Sequence, residues 1–144
     1  MKLRSLAVAL TALTAALGGA APAHAATTVP VSFSLSAAAY APTGAACGLT
    51  IDQGADGIAV LDAAVAAHCI TSYAVVTFPG FGTFVSCIDE VCGTALTGTT
   101  GTYWNMYENG ASTAYGVDGF VADAGDDLGF AYRAYCFEAA CPAL

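Results

Sequence analysis

The sequence predicts a small α+β domain, rich in antiparallel strands, with about seven short strands, one packed helix and disulfide staples. Short runs of alternating apolar and polar residues recur along the chain, separated by Gly, Pro, Asn and Asp. One alanine-rich segment, from Ile58 to His68, has the periodicity of a helix instead. The chain also carries six cysteines in 144 residues, which is typical of a small exported domain.

The N-terminal segment 1–25 has the three parts of a secretory signal peptide. Lys2 and Arg4 form a basic start, Leu6–Leu17 is apolar, and Ala23–Ala25 carries the small-x-small cleavage pattern. A transmembrane anchor is the alternative, but the apolar run is shorter than the roughly 20 residues that span a bilayer. No later run resembles a membrane span, so we expect a secreted protein.

Removal of this segment sets the size and charge of the mature protein. Cleavage after Ala25 leaves residues 26–144, a chain of 119 residues and a natural size for one domain. Arg133 is then the one Lys or Arg against 11 Asp and Glu, a net charge of −10. Such a surface repels nucleic-acid phosphates and anionic lipid. We therefore expect a monomer with no nucleic-acid partner.

The even number of cysteines predicts three disulfides. A metal site is the alternative, but the chain has no CxxC pair, and His68 is the only histidine after the signal segment. Six cysteines allow 15 pairings. Local spacing favours Cys47–Cys69, Cys87–Cys92 and Cys136–Cys141. The rival pairing joins Cys47 or Cys69 to the C-terminal pair.

The first half of the mature chain predicts two strands and the helix. Val29–Leu35 alternates in polarity and predicts a half-buried strand, with Pro30 indicating an edge or an irregular beginning. Cys47–Ile51 predicts a second strand. In the helical segment, Ile58–His68, the apolar side chains share one face. We expect His68 in the last turn, as a structural rather than a catalytic residue.

The rest of the chain predicts six further short strands. Ser72–Phe78 is followed by a Pro-Gly turn, and the two arms of a hairpin follow around residues 88–90. Tyr103–Glu108 ends at Asn-Gly, a strong hairpin-turn signal because both residues tolerate positive φ. Val117–Val121 and Leu128–Tyr132 predict the last two strands.

With these segments in place, the chain resembles the transcobalamin C-terminal-like domain family (DUF4430). The likeness rests on IAVLDAAVAA as the helix, GTFVSCIDEV as the following hairpin, and TYWNMYENG as a tryptophan-containing strand ending in Asn-Gly. YGVDGFVADAGDDLGFAY resembles the family's Gly-Val segment, Gly-Asp turn and last aromatic strand. The order and spacing match over about half of the chain.

This resemblance implies a β-grasp-like fold and a role as a binding module. In the vitamin-carrier members, the domain caps cobalamin held against a separate helical barrel. This sequence has one helix and no such barrel, so half of that binding site is missing. Cobalamin is therefore a candidate ligand, and we expect no resident cofactor.

The residue types offer little for catalysis. Nucleophilic catalysis needs a nucleophile with a base beside it. The single mature imidazole, the oxidised cysteines and the absence of GxSxG argue against it. Asp123, Asp126 and Asp127 cluster near one turn, but they lack the ligand pattern of a calcium loop. We predict no enzyme activity and no metal site.

The aromatic residues are the remaining candidates for ligand binding: Tyr103, Trp104, Tyr107 and Tyr115. Such rings form apolar surfaces with polar donors at their edges. Along the strand, Trp104 and Met106 share one face, and Tyr103 and Tyr107 share the other. We expect Trp104 and Met106 in the core and the two tyrosines exposed. The family resemblance instead implies that Trp104 faces the ligand.

The leading hypothesis is a secreted, non-enzymatic binding module for a cobalamin-like, other small-molecule or glycan ligand. A structural or protein-interaction role at the cell surface is the alternative, because a small sheet leaves an exposed edge. A third hypothesis is an inhibitor of an exported hydrolase, since stapled loops can present a rigid peptide.

Overall fold

The computed structural model describes residues 26–36, 46–94 and 99–136. They form one α-helix and, for the most part, β-strands in two sheets, which confirms the predicted small α+β domain. In chain order the elements are β1 (Thr28–Ser36), β2 (Cys47–Asp52), α1 (Gly57–Ala66), β3 (Tyr73–Phe78), β4 (Gly82–Ile88), β5 (Val91–Cys92), β6 (Thr100–Glu108), β7 (Ala111–Ser112), a 3₁₀ turn (Val117–Gly119) and β8 (Asp127–Cys136).

The larger sheet has the strand order β2-β1-β8-β6-β7, and the smaller has the order β3-β4-β5. β1 and β8 are parallel, and the other pairs are antiparallel. β1 is thus an inner strand, although an edge was one of the two alternatives that Pro30 indicated, the other being an irregular beginning. Its pairing with β8 begins at Ser32, so the proline, which has no N–H, precedes that ladder.

The core lies between the larger sheet and α1. Alternate residues of β1, β6 and β8 point inward, and Phe33, Leu128 and Phe130 are almost completely buried. α1 begins at the side chain of Asp56, whose Oδ1 accepts a hydrogen bond from the Ala59 N–H at 3.0 Å. This contact satisfies one of the free N–H groups at a helix start.

The helix ends earlier than its periodicity predicts. It stops at Ala66, and His68 lies two residues further on in the left-handed conformation, with φ 58°. The His68 N–H donates to the Val65 carbonyl, and the Cys69 N–H donates to the Ala64 carbonyl. These two bonds form a Schellman end. The expectation that His68 belongs to the last turn is therefore wrong, since His68 lies just past the end of the helix.

The prediction of a strand at Val117–Val121 is wrong. Residues 117–119 form the 3₁₀ turn, which buries Val117 and Phe120. The Asp118 carboxylate accepts a hydrogen bond from the Thr83 N–H of β4 at 2.8 Å. This packing against β4 replaces strand pairing, and a short apolar run cannot distinguish the two.

The remaining local predictions agree with the structure. The Asn109-Gly110 turn has φ values of 52° and 79°, as a hairpin turn of that sequence requires. Two predicted disulfides, Cys47–Cys69 and Cys87–Cys92, are present. The proposed Cys136–Cys141 bridge and the signal segment lie outside the described residues, at least in part. Among the described residues, no helix is long and apolar enough to cross a membrane.

Candidate ligand cleft

A cleft opens in the described part of the chain where β4 of the smaller sheet meets β6 of the larger one. It consists of a cavity of about 430 Å³ and an adjoining cavity of about 280 Å³. Four residues line both cavities, two from β4 and two from β6: Phe84, Val85, Tyr103 and Trp104. We call these two adjoining spaces the β4–β6 cleft.

Trp104 is held rigidly at the centre of the β4–β6 cleft. Its indole Nε1 donates a hydrogen bond to the Val91 carbonyl of β5 at 2.9 Å. Its ring lies 5.1 Å from the ring of Tyr132, with 56° between the planes. Only 5% of the residue is exposed, so the prediction that Trp104 belongs to the core is confirmed. Trp104 also lines both cavities.

A second contact fixes β5 against the larger sheet. The Tyr132 hydroxyl donates to the Cys92 carbonyl at 2.8 Å and lies 2.7 Å from the hydroxyl of Thr102. The Cys87–Cys92 disulfide joins β5 to β4. Strand, disulfide and aromatic contacts together brace this wall of the cleft, and such preorganisation lowers the entropic cost of binding.

Hydrophobic residues of the β3–β4 hairpin complete the larger cavity. Phe78 and Phe84 meet edge to face, with 5.9 Å between ring centroids, and Val76 lies beside them. The sequence predictions placed no binding residue here. The sequence did contain a signal for these lining residues: Val76 and Phe78 are two positions apart in a strand, so both side chains point to one face.

The lining is mainly apolar, with a few hydroxyl groups. Ser86, Thr94 and Thr102 contribute hydroxyls to the larger cavity, and Asn105 and Thr113 contribute polar side chains to the smaller. No lining residue of either cavity carries a charge, an imidazole or a thiol. Apolar surface with a few oriented polar groups is typical of a small-molecule site.

Tyr103 borders both cavities and is half-buried. Its ring meets the ring of Tyr135 edge to face, at 6.0 Å between centroids. The expected exposure of Tyr107 is wrong: only 5% of this residue is exposed. The guanidinium of Arg133 lies over its ring, 5.4 Å from the centroid, and Tyr107 lines neither cavity.

Tyr115 lines the smaller cavity and is 39% exposed. Its hydroxyl donates a hydrogen bond to the Glu108 carboxylate. This bond, with burial and the negative charge of the carboxylate, raises the pKa of Tyr115 to about 12. The phenol therefore stays protonated at neutral pH. Its O–H group donates to Glu108 and not to a ligand.

The carboxylates of the acidic turn at residues 123–127 accept hydrogen bonds from other groups of the protein. Asp126 accepts hydrogen bonds from the Asp123 N–H at 2.8 Å and from the Asn109 side chain at 3.0 Å. Asp127 accepts a bond from the Ser34 hydroxyl at 3.3 Å. No group of three or more metal-ligating side chains occurs among the residues that the structure describes. These carboxylates hold the turn between the 3₁₀ segment and β8.

The fold is related to that of a solved protein. Haptocorrin, in complex with Cbi, superposes with a TM-score of 0.61 at 16% sequence identity. The match covers 85% of this chain and 29% of the haptocorrin chain, so this chain spans less than a third of that protein's length. At this identity the likeness shows the fold alone.

A second solved structure is a candidate metal-binding protein from Ruminococcus gnavus. It superposes with a TM-score of 0.44 at 12% identity, over 74% of this chain and 95% of that chain. So low a score supports no further argument. No protein-family model and no curated protein matches the sequence.

Proposed function

We propose that the protein is a secreted, non-enzymatic binding module and that the β4–β6 cleft is its ligand site. The observation that carries this proposal is the larger cavity, whose volume of about 430 Å³ lies within the roughly 300–1,000 Å³ of small-molecule pockets. Aromatic side chains line it, and Trp104 is fixed in its wall by the bond to Val91. The lining offers contact and orientation rather than acid–base chemistry.

The ligand that fits this lining has an apolar face and a few polar groups at its edge. Cobalamin-like molecules meet this description, and the family resemblance and the ligand of the haptocorrin structure favour them. Sugar rings of a glycan meet it as well, since their C–H faces stack on aromatic rings. The described residues hold a single α-helix, so a corrinoid would contact this protein through one side only.

Tryptophan fluorescence gives a direct test, because Trp104 is the only tryptophan of the chain. We expect cobinamide, cobalamin or a cell-wall glycan fragment to change its emission in a saturable way. Calorimetry then measures the dissociation constant of the active ligand. No saturable signal with any of the three ligands by either method would contradict the proposal.

A matched pair of variants locates the site. Phe78 lines the larger cavity, whereas Phe81, three residues further on, lines neither cavity and is 78% exposed. We expect Phe78→Ala to weaken binding about tenfold, as loss of a central aromatic contact does. Phe81→Ala should leave the dissociation constant unchanged. Equal effects of the two substitutions would place the ligand elsewhere.

Export is tested separately by the mature N-terminus. When the full chain is expressed in a host with a secretion pathway, we expect the protein in the culture medium. Its first residue should be Ala26, because residues 23–25 carry the cleavage pattern. Intact-mass measurement of the secreted protein checks this. A protein that is retained in the cell with residues 1–25 attached would contradict secretion.

A further inference from the structure

The outer edge of the smaller sheet is open. β3 is an edge strand, and among the described strands it pairs with β4 alone. Residues 74–77 are all exposed. Because successive side chains of a strand point to opposite faces, both faces of the sheet are uncovered at this edge. The backbone N–H and C=O groups on the free side of β3 can therefore accept another strand.

This edge lacks the devices that usually block strand addition. Edge strands are normally protected by charged side chains, proline or bulges. β3 reads YAVVTF, with no charge and no proline. The register shift opposite Ala74 and Val75 inserts the extra residue, Ser86, into β4. The free edge of β3 is thus continuous over six residues, or about 20 Å.

Apolar side chains accompany the free backbone. Val75 and Val76 are each 40% exposed, and Phe81 at the hairpin tip is 78% exposed. These side chains can contact alternate residues of an added strand, which is how strand addition acquires specificity.

This edge belongs to a strongly acidic protein. At the start of β3, the Asp62 carboxylate accepts a hydrogen bond from the Tyr73 hydroxyl at 2.6 Å. The described residues carry 10 Asp and Glu in all. Within the described residues, the one Lys or Arg is Arg133, which lies in the other sheet.

We propose that β3 is a docking edge for an extended, cationic segment of a partner protein, which adds to the smaller sheet as a fourth strand. Main-chain hydrogen bonds supply the attraction, and lysine or arginine residues of the partner are drawn by the negative charge of this protein. A second copy of this chain would bring two strongly acidic proteins together, so the charge favours a different, cationic protein. A single-strand contact is small, well below about 1,200 Å², and gives a transient complex.

The probe is a fluorescein-labelled peptide of sequence Lys-Val-Thr-Val-Thr-Val-Lys, and the control peptide has glutamate in place of both lysines. Fluorescence anisotropy measures binding to the exported, oxidised protein. We expect the lysine peptide to bind at least about tenfold more tightly than the glutamate peptide, because the acidic protein attracts the two lysines and repels the two glutamates. Its affinity should fall about threefold or more from low to high salt, because exposed charges are screened.

Substitution at the edge supplies a second measurement. Val75→Lys adds a cation on the strand without touching the cleft, since Val75 lines neither cavity. We expect it to weaken peptide binding about fivefold through repulsion between like charges. The control is Val121→Lys, the same change at a position that is 64% exposed and outside β3, which should leave binding unchanged. Amide hydrogen exchange should slow at β3 when the lysine peptide is bound.

Several outcomes would overturn the proposal. One is the absence of an anisotropy change up to about 1 mM protein, which would mean a dissociation constant above about 1 mM. Another is equal binding of the two peptides, or equal effects of the two lysine substitutions. Dimerisation that protects the β3 amides would assign the edge to a second copy. If Val75→Lys does not fold, the comparison of peptides and the salt series still decide. Ligand titration followed by Trp104 emission tests the cleft and peptide anisotropy tests the edge, so the two proposals fail separately.

Discussion

Gly116 allows the 3₁₀ turn to lie directly against β4, and replacing it tests how tightly the two are packed. Its backbone has φ −77° and ψ 175°, which alanine adopts without strain. A Cβ atom at this position would lie 2.2 Å from the Thr83 carbonyl oxygen and 2.6 Å from the Thr83 nitrogen. Because these are backbone atoms, Gly116→Ala must push the turn away from β4.

We expect Gly116→Ala to lower the free energy of unfolding by about 3 kcal/mol. Overpacking of a close contact costs about 1–3 kcal/mol. The displacement also stretches the bond between the Thr83 N–H and Asp118, now 2.8 Å, which adds about 1 kcal/mol. Since small domains have about 5–15 kcal/mol in total, the loss is readily measured.

Urea unfolding at neutral pH without reductant, followed by Trp104 emission, measures the change. Gly48→Ala is the matched control, since an added Cβ there meets nothing within 4 Å. We expect this control to stay within about 0.5 kcal/mol of the parent protein. A Gly116→Ala protein as stable as the control would refute the inferred close packing between the 3₁₀ turn and β4.

Two further predictions concern the disulfides and one carboxylate. Replacing both cysteines of Cys47–Cys69 by alanine should lower the free energy of unfolding by about 3 kcal/mol, and the same change at Cys87–Cys92 should lower it by about 2 kcal/mol. The difference arises because the two bridges close loops with sequence separations of 22 and 5. The reverse order of the two losses in urea unfolding would contradict the loop-length reasoning. Hydrogen bonds from the Thr71 hydroxyl and N–H lower the pKa of Asp89. Its stabilisation is therefore full above the usual carboxyl range near pH 4 and is lost as the pH falls through the lowered folded-state pKa. Asp89→Asn keeps a residue suited to the positive φ of 52°, so it should flatten the acid limb of stability against pH, and an unchanged limb would contradict the assignment.

Local features of the fold could be predicted because their causes are local. The Asn109-Gly110 turn, the alanine-rich helix and the alternating strands each follow from the preferences of adjacent residues. The two described disulfides join cysteines that are near in sequence. The end of the helix was less predictable, because alanine and histidine continue a helical pattern until the left-handed His68 ends it.

The candidate site was predicted only in part. Trp104 was identified from the strand that carries it, and its place in the core follows from the alternation of that strand. Tyr107 was expected to be exposed, but Arg133 of the neighbouring strand covers its ring. Phe78 and Phe84 were missed because their importance depends on the meeting of two sheets rather than on their own segment.

Composition, periodicity and cysteine spacing were sufficient for the class of this protein: small, α+β, acidic and disulfide-bonded. They were also sufficient to single out the Trp104 strand. The cleft, the cover over Tyr107 and the open edge of β3 depend on contacts between residues far apart in the chain. Strand patterns state which side chains share a face, but they do not state which sheet that face meets. The packing of β4 against β6 settles that question and forms the β4–β6 cleft.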